Sequence, residues 1–122
     1  MRQMNIVKQL ATNLHEVFKT DAGIIYQSDS ERCLLIDFAG SICKFNYAQS
    51  LRLKKIIEAI DVDAMLLDTK SASLEIVTLH GCDNVYILSV LQIIKLKELL
   101  QGAFVMFELN NIVKDCLQRT AV

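Results

Sequence analysis

The stretch from Leu91 to Leu117 constrains the fold most, because its apolar residues occupy two helical faces at once. One set has the spacing of a stripe that packs into a core: Leu96, Leu99, Leu100, Ala103 and Phe107. A second set is spaced by four, three and four residues, as in a coiled-coil seam: Val105, Leu109, Ile112 and Cys116. The second set is therefore the candidate interface, with a second copy of the chain as partner. The alternative is a helix that breaks at Asn110-Asn111, so that the later residues return to the same core.

The N-terminal stretch also has helical periodicity. Its apolar residues recur every three or four positions, at Met4, Val7, Ala11, Leu14 and Phe18. This spacing predicts a helix over residues 3–18. The end of the stretch is ambiguous, because residues 16–20 have a composition that also suits a strand.

Three short segments with strand character follow, at residues 24–28, 33–38 and 41–45. Asp29-Ser30-Glu31 supplies a polar turn between the first two, and Ala39-Gly40 is a tight hairpin signal between the second and third. Asn46 with Gln49 three residues later forms a capping-box pattern, which predicts the start of a helix ending near residues 61–63.

The second half of the chain has the same order of signals. Strands are expected at residues 64–69, 74–80 and 85–88, and Ser89 with Gln92 repeats the capping box at the start of the final helix. Residues 23–60 and 64–100 can therefore be aligned as a possible internal repeat of a βββα unit, related by a pseudo-twofold axis. The alternative is that any two strand-hairpin-helix units look alike.

The expected architecture is a single α+β domain spanning residues 1–122. It has an N-terminal helix, an antiparallel sheet of about five to six strands, and helices on one face, in the order α-βββ-α-(β)ββ-α. This order is similar to that of type III secretion chaperones, which are small acidic homodimers that hold an extended partner chain. The resemblance implies a homodimer with a protein partner, although the net charge of −1 departs from the acidic pattern. It assigns no functional residue to this chain.

Composition and charge narrow the classes of partner and compartment. A net charge of −1 gives no field that would attract nucleic acid, and no apolar stretch is long enough to span a bilayer, so neither nucleic acid nor membrane is an expected partner. The four cysteines show no Cys-x-x-Cys spacing, and the N-terminus lacks the apolar core of a secretion signal. These features indicate reduced thiols in a cytoplasmic protein.

No motif for catalysis, nucleotide binding or metal binding occurs in the sequence, so no catalytic residue, cofactor or metal ligand is predicted. The favoured hypothesis is a non-enzymatic homodimer that acts as an adaptor or chaperone-like module. The alternative is a small-molecule-binding or catalytic domain with a pocket between the sheet and the helices, for which the candidate residues are Tyr26, Asp37, His80 and Cys82. Strand alternation places Asp37 opposite Ile36 and Phe38, on the expected solvent face of the sheet.

Overall fold

A computed structural model describes residues 11–67, 74–78 and 85–120, with the backbone alone for residues 75, 78 and 111–120. The elements, in chain order, are β1 (Leu14–Lys19), β2 (Gly23–Ser28), β3 (Cys33–Phe38), β4 (Ser41–Asn46), α1 (Tyr47–Ala59), α2 (Val62–Leu67), β5 (Leu74–Thr78), β6 (Val85–Ser89) and α3 (Val90–Thr120). The α+β class predicted from the sequence is confirmed.

The first four strands form an antiparallel meander in the order β1-β2-β3-β4. The three strands expected between residues 24 and 45 are confirmed within a residue at each end. Ala39 and Gly40 both have positive φ, at 55° and 79°, as in a two-residue type I′ hairpin turn. This turn fixes the register of β3 and β4, so that Ile36 lies opposite Cys43.

β1 corrects the prediction of an N-terminal helix over residues 3–18. Residues 14–18 form a strand that pairs with β2, while residues 3–10 lie outside the described part of the chain. A bulge between Glu16 and Phe18 lets both Val17 and Phe18 contact the core, which imitates helical spacing in the sequence. The strand alternative for residues 16–20 is the better prediction, because pairing with β2 provides hydrogen bonds for the backbone amide and carbonyl groups of this segment.

Both predicted capping boxes are present. The Gln49 amide donates to Asn46 Oδ1 over 2.8 Å, and the Asn46 amide donates to Gln49 Oε1 over 2.9 Å. At the start of α3, the Gln92 amide donates to Ser89 Oγ over 3.3 Å, and the Ser89 amide donates to Gln92 Oε1 over 3.0 Å. Each box satisfies two amide groups at a helix N-terminus and so fixes where that helix begins.

α2 corrects the prediction of a strand over residues 64–69. Residues 64–67 are helical, and residues 68 and 69 lie outside the described ranges. Asp61 explains the difference, because its carboxylate accepts from the Ala64 amide over 3.0 Å and its carbonyl accepts from the Met65 amide. This local cap favours a helical turn over an extended chain.

The main core lies between one face of the four-stranded sheet and the helices. Its members include Ile25, Leu34, Ile36 and Phe45 from the sheet, Leu53 and Ile57 from α1, and Ile93, Leu96, Leu99, Leu100, Ala103 and Phe107 from α3. The core stripe predicted for the final helix is therefore confirmed. α3 continues without a break through Asn110 and Asn111, so the broken-helix alternative is wrong.

β5 and β6 form a separate two-stranded antiparallel sheet. One face of this hairpin packs against the main core through Val77, Tyr86 and Leu88. The described strands thus form sheets of four and two strands, which corrects the prediction of one sheet with five to six. Residues 74–78 of the strand predicted at 74–80 are confirmed, and residues 79 and 80 are outside the described ranges.

Candidate interaction surfaces and cavities

The outer face of α3 carries large apolar side chains that the described residues leave uncovered. Val105 is 61% exposed and Leu109 is 51% exposed, one helical turn apart, whereas Ala103 before them and Phe107 between them are buried. Of the four candidate interface residues, the structure therefore brings Val105 and Leu109 together on one exposed stripe. Ile112 and Cys116 continue the same helix, but their side chains are outside the description.

A second exposed apolar surface, which sequence reasoning missed, is the outer face of the β5–β6 hairpin. We call it the hairpin face and define it by Leu74, Ile76, Val85 and Ile87, all of which are more than half exposed. Ile76 and Ile87 are directly opposite each other across the two strands. The signal in the sequence is that β6 has apolar residues at four consecutive positions, so neither of its faces is polar.

The face of the four-stranded sheet that points away from the helices is also apolar. A second cluster there contains Ala11, Tyr26, Cys33 and Leu35, with Leu14, Ile24 and Ile42 packed around it. Asp37 lies on this face between Ile24 of β2 and Ile42 of β4. The expectation that Asp37 faces solvent is therefore wrong, because this side of the sheet is buried as well and Asp37 is only 7% exposed.

Burial changes the electrostatics of this face. It raises the pKa of the Asp37 carboxyl above its usual value. Burial also raises the pKa of the Tyr26 phenol, and the negative charges of Asp37 and Glu16 raise it further. Among the described residues, none makes a hydrogen bond or an ion pair with the Asp37 carboxyl, which lines a cavity at this end of the sheet.

Two described cavities lie at opposite ends of the four-stranded sheet. One, of about 320 Å³, is lined by Lys19, Ile24 and Asp37 in one row across three strands and by the turns at residues 20–22 and 39–40. The other, of about 210 Å³, lies beside the β2–β3 turn and is lined by residues including Arg32, Cys33 and Tyr47. Neither described cavity lies between the sheet and the helices, where the alternative hypothesis expected one. His80 and Cys82 are outside the described residues.

Glu31 ties three parts of the chain together at the β2–β3 turn. Its carboxylate accepts from the Thr12 amide and from Lys44 Nζ, the latter over 3.1 Å. These hydrogen bonds, that from Thr12 first, lower the pKa of Glu31. The arrangement attaches the segment before β1 to the sheet and has the character of a structural link.

The described residues provide few groups that could bind a metal ion or act as a reactive thiol. Across residues 11–67, 74–78 and 85–120 there is no group of three His, Cys, Asp or Glu side chains that could hold a metal ion. Cys33 and Cys43 are buried free thiols, and burial raises the pKa of Cys33. A raised pKa keeps a thiol protonated and weakly nucleophilic. Within the described chain, no helix combines the length and apolar content that crossing a bilayer requires.

Comparison with protein-family models, with curated proteins and with solved structures finds no significant match to this chain.

Proposed function

We propose that this protein is a non-enzymatic interaction module that works as a homodimer in the cytoplasm, in the manner of an adaptor or chaperone. The observation that carries the proposal is the exposed stripe on α3, where Val105 and Leu109 stand on the side of the helix away from the core. Monomeric proteins rarely expose aligned apolar side chains on an otherwise packed helix, and such stripes mark interaction sites. The cysteine pattern in the sequence supports the cytoplasmic location.

A second copy of the chain is the occupant that best fits the stripe. Full burial of an aliphatic side chain contributes about 1.5–3 kcal/mol, so burying the exposed parts of Val105 and Leu109 in both copies contributes roughly 3–7 kcal/mol. Association costs about 4–15 kcal/mol, so these two positions alone are marginal. The proposal therefore includes Ile112 and Cys116, which extend the coiled-coil spacing of the same stripe by two further turns.

The test is the molar mass of the full chain in solution, measured by light scattering after size exclusion, for the wild type and for Leu109→Glu. We expect a wild-type dimer and a folded Leu109→Glu monomer. The substitution removes apolar area and places two glutamates against each other across the twofold axis. The dissociation constant should rise by at least about 100-fold.

Asn110→Glu is the matched control for this test. Asn110 is an exposed residue of α3 that lies about 100° around the helix from Leu109, so the substitution adds the same charge to the same helix without removing apolar surface from the stripe. It should leave the dimer intact. A monomeric wild type, or a Leu109→Glu variant that dimerises as tightly as the wild type, would refute the proposed dimer.

A second candidate function, the binding of a small organic cation, is favoured by one observation, the buried carboxyl of Asp37 beside the 320 Å³ cavity. A buried carboxylate without a partner is unfavourable, and an ammonium group would provide a partner. The probe is butylammonium, followed by backbone amide chemical shifts of the wild type and of Asp37→Asn. Saturable shifts confined to residues 19–24 and 37–40, and lost in the variant, would support this function. Shifts that persist in Asp37→Asn would exclude it.

A further inference from the structure

The hairpin face is an apolar surface separate from the α3 stripe. Its four side chains are 54–67% exposed, while the alternate residues Val77, Tyr86 and Leu88 anchor the hairpin in the core. The inner face of the hairpin therefore holds the two strands against the core, and the outer face is exposed to solvent. Leu91, at the start of α3 directly after β6, is a further exposed apolar residue, with 60% of its surface accessible.

The chemistry of the hairpin face suits a second copy of itself. In a contact with twofold symmetry the same patch faces itself, so residues near the axis meet their own counterparts and any charge there would repel its copy. By register, the hairpin face is aliphatic apart from Thr78 and Ser89 at its ends, and none of the residues at these positions is charged. The central pair of the hairpin face, Ile76 and Ile87, consists of two β-branched side chains directly opposite each other. Such side chains are suited to the contact between two packed sheets.

The exposed area is of the size that the centre of a dimer interface needs. At about 25 cal/mol per Å², the burial energy of an aliphatic side chain corresponds to roughly 60–120 Å². Four side chains about 60% exposed therefore present roughly 150–290 Å² per copy. A standard interface buries about 800 Å² per partner, a little over half of it apolar. The hairpin face thus supplies roughly a third to two thirds of the apolar area of one side of such an interface.

We propose that the hairpin faces of two copies pack against each other, and that this contact is distinct from the one made by α3. Two different twofold contacts on one chain produce either a closed assembly of four chains or a longer open array. The hairpin contact does not depend on the α3 dimer, so a substitution that disrupts one of the two contacts should leave the other intact.

The test is sedimentation velocity of the full chain over a wide concentration range, for the wild type, for Ile76→Thr with Ile87→Thr, for Leu109→Glu, and for the combination. Threonine keeps the β-branched shape that strands favour while removing apolar area. The paired threonine variant should lose the association step that depends on the hairpin, with a rise of at least about 100-fold in its dissociation constant. Adding Leu109→Glu should then leave single chains. Leu67→Gln, at an 80% exposed position on α2, is the control and should change neither step.

A second measurement on the unmodified chain guards against a threonine variant that fails to fold. Amide hydrogen exchange in β5 and β6 should slow as protein concentration rises, and exchange in the β2–β3 turn should not change. A threonine variant that assembles like the wild type, or hairpin exchange that is independent of concentration, would overturn the hairpin contact. If Leu109→Glu is without effect while the threonine variant loses a step, the hairpin contact stands and the α3 dimer fails.

Discussion

At the scale of single residues, Asp37 shows how one side chain depends on everything around it. Its strand, Cys33–Phe38, is buried at all six positions, so no alternation of buried and exposed residues marks a solvent face. Asp37 is the one charged residue in this strand. Ile24 and Ile42 flank that group on the neighbouring strands. An aspartate in such a place is stabilised in its protonated form, and its effect on stability therefore depends on pH.

We predict that Asp37→Asn is more stable than the wild type at neutral pH. Burial raises the pKa of Asp37 in the folded state, so folding is most favourable below the ordinary aspartate pKa of about 3.9. The stability then falls as pH rises through the raised pKa, and it stays lower above it. Each unit by which the folded pKa is raised costs about 1.4 kcal/mol. Asparagine has no charge to desolvate, so the difference between variant and wild type should vanish in acid.

Urea unfolding at a series of pH values measures this effect. Asp21→Asn is the control, because Asp21 is exposed in the turn at residues 20–22 and makes none of the described ion pairs. It should not reproduce the gain in stability that Asp37→Asn shows at neutral pH. A wild type whose stability rises steadily between acid and neutral pH relative to Asp37→Asn would contradict the prediction.

At the scale of elements, local signals and the pairing of β2, β3 and β4 through short turns were predictable from the sequence, and pairing between distant segments was not. The caps at Asn46 and Ser89 and the turn at Ala39-Gly40 were predictable because each depends on residues within a few positions. β1 was expected only as the alternative to a helix, at residues 16–20, because the spacing of Leu14 and Phe18 also fits a helical stripe. The separation of β5–β6 from the main sheet depends on contacts between distant residues. The exposure of Val105 and Leu109 agrees with the two-faced pattern, but the interface itself remains a prediction.

The contact between α3 and β1 supplies a prediction at this scale. A Cβ atom on Gly102 would overlap the ring of Phe18, so the absence of a side chain at residue 102 makes room for this ring against α3. Alanine in a helix interior normally stabilises by about 0.5–1 kcal/mol relative to glycine. Here we predict the opposite sign, with Gly102→Ala lowering the free energy of unfolding by about 1–3 kcal/mol through overpacking.

Urea unfolding of two further variants isolates the cause. Gln101→Ala, at the exposed neighbouring position, should change stability little. Phe18→Leu combined with Gly102→Ala should recover part of the loss, because the smaller side chain vacates the space that the new methyl group needs. If Gly102→Ala is as stable as the wild type, the close approach of α3 and β1 is not a constraint.

At the scale of the whole molecule, the outward side chains are as informative as the core. The helices, the meander and the hairpin bury a continuous apolar core, and yet two apolar surfaces remain, one on α3 and one on the hairpin. A chain of 122 residues has enough apolar material to fold alone, which is consistent with the proposal that these exposed residues contact other chains. Folding and assembly should therefore be coupled in this protein.

Coupling predicts that the thermal midpoint depends on protein concentration. If the folded state is a dimer or larger, mass action adds about 1.4 kcal/mol per dimer for each tenfold rise in concentration. For two chains of this length that corresponds to a rise of roughly 3–5 °C in the midpoint. Circular dichroism melts at several concentrations would show the slope in the wild type and in Asn110→Glu. The slope should be absent when Leu109→Glu is combined with Ile76→Thr and Ile87→Thr. A wild-type midpoint that stays constant on dilution would contradict this prediction. The exposed stripe and the hairpin face would then contribute nothing to the stability of the free protein, and their partner would be a different molecule.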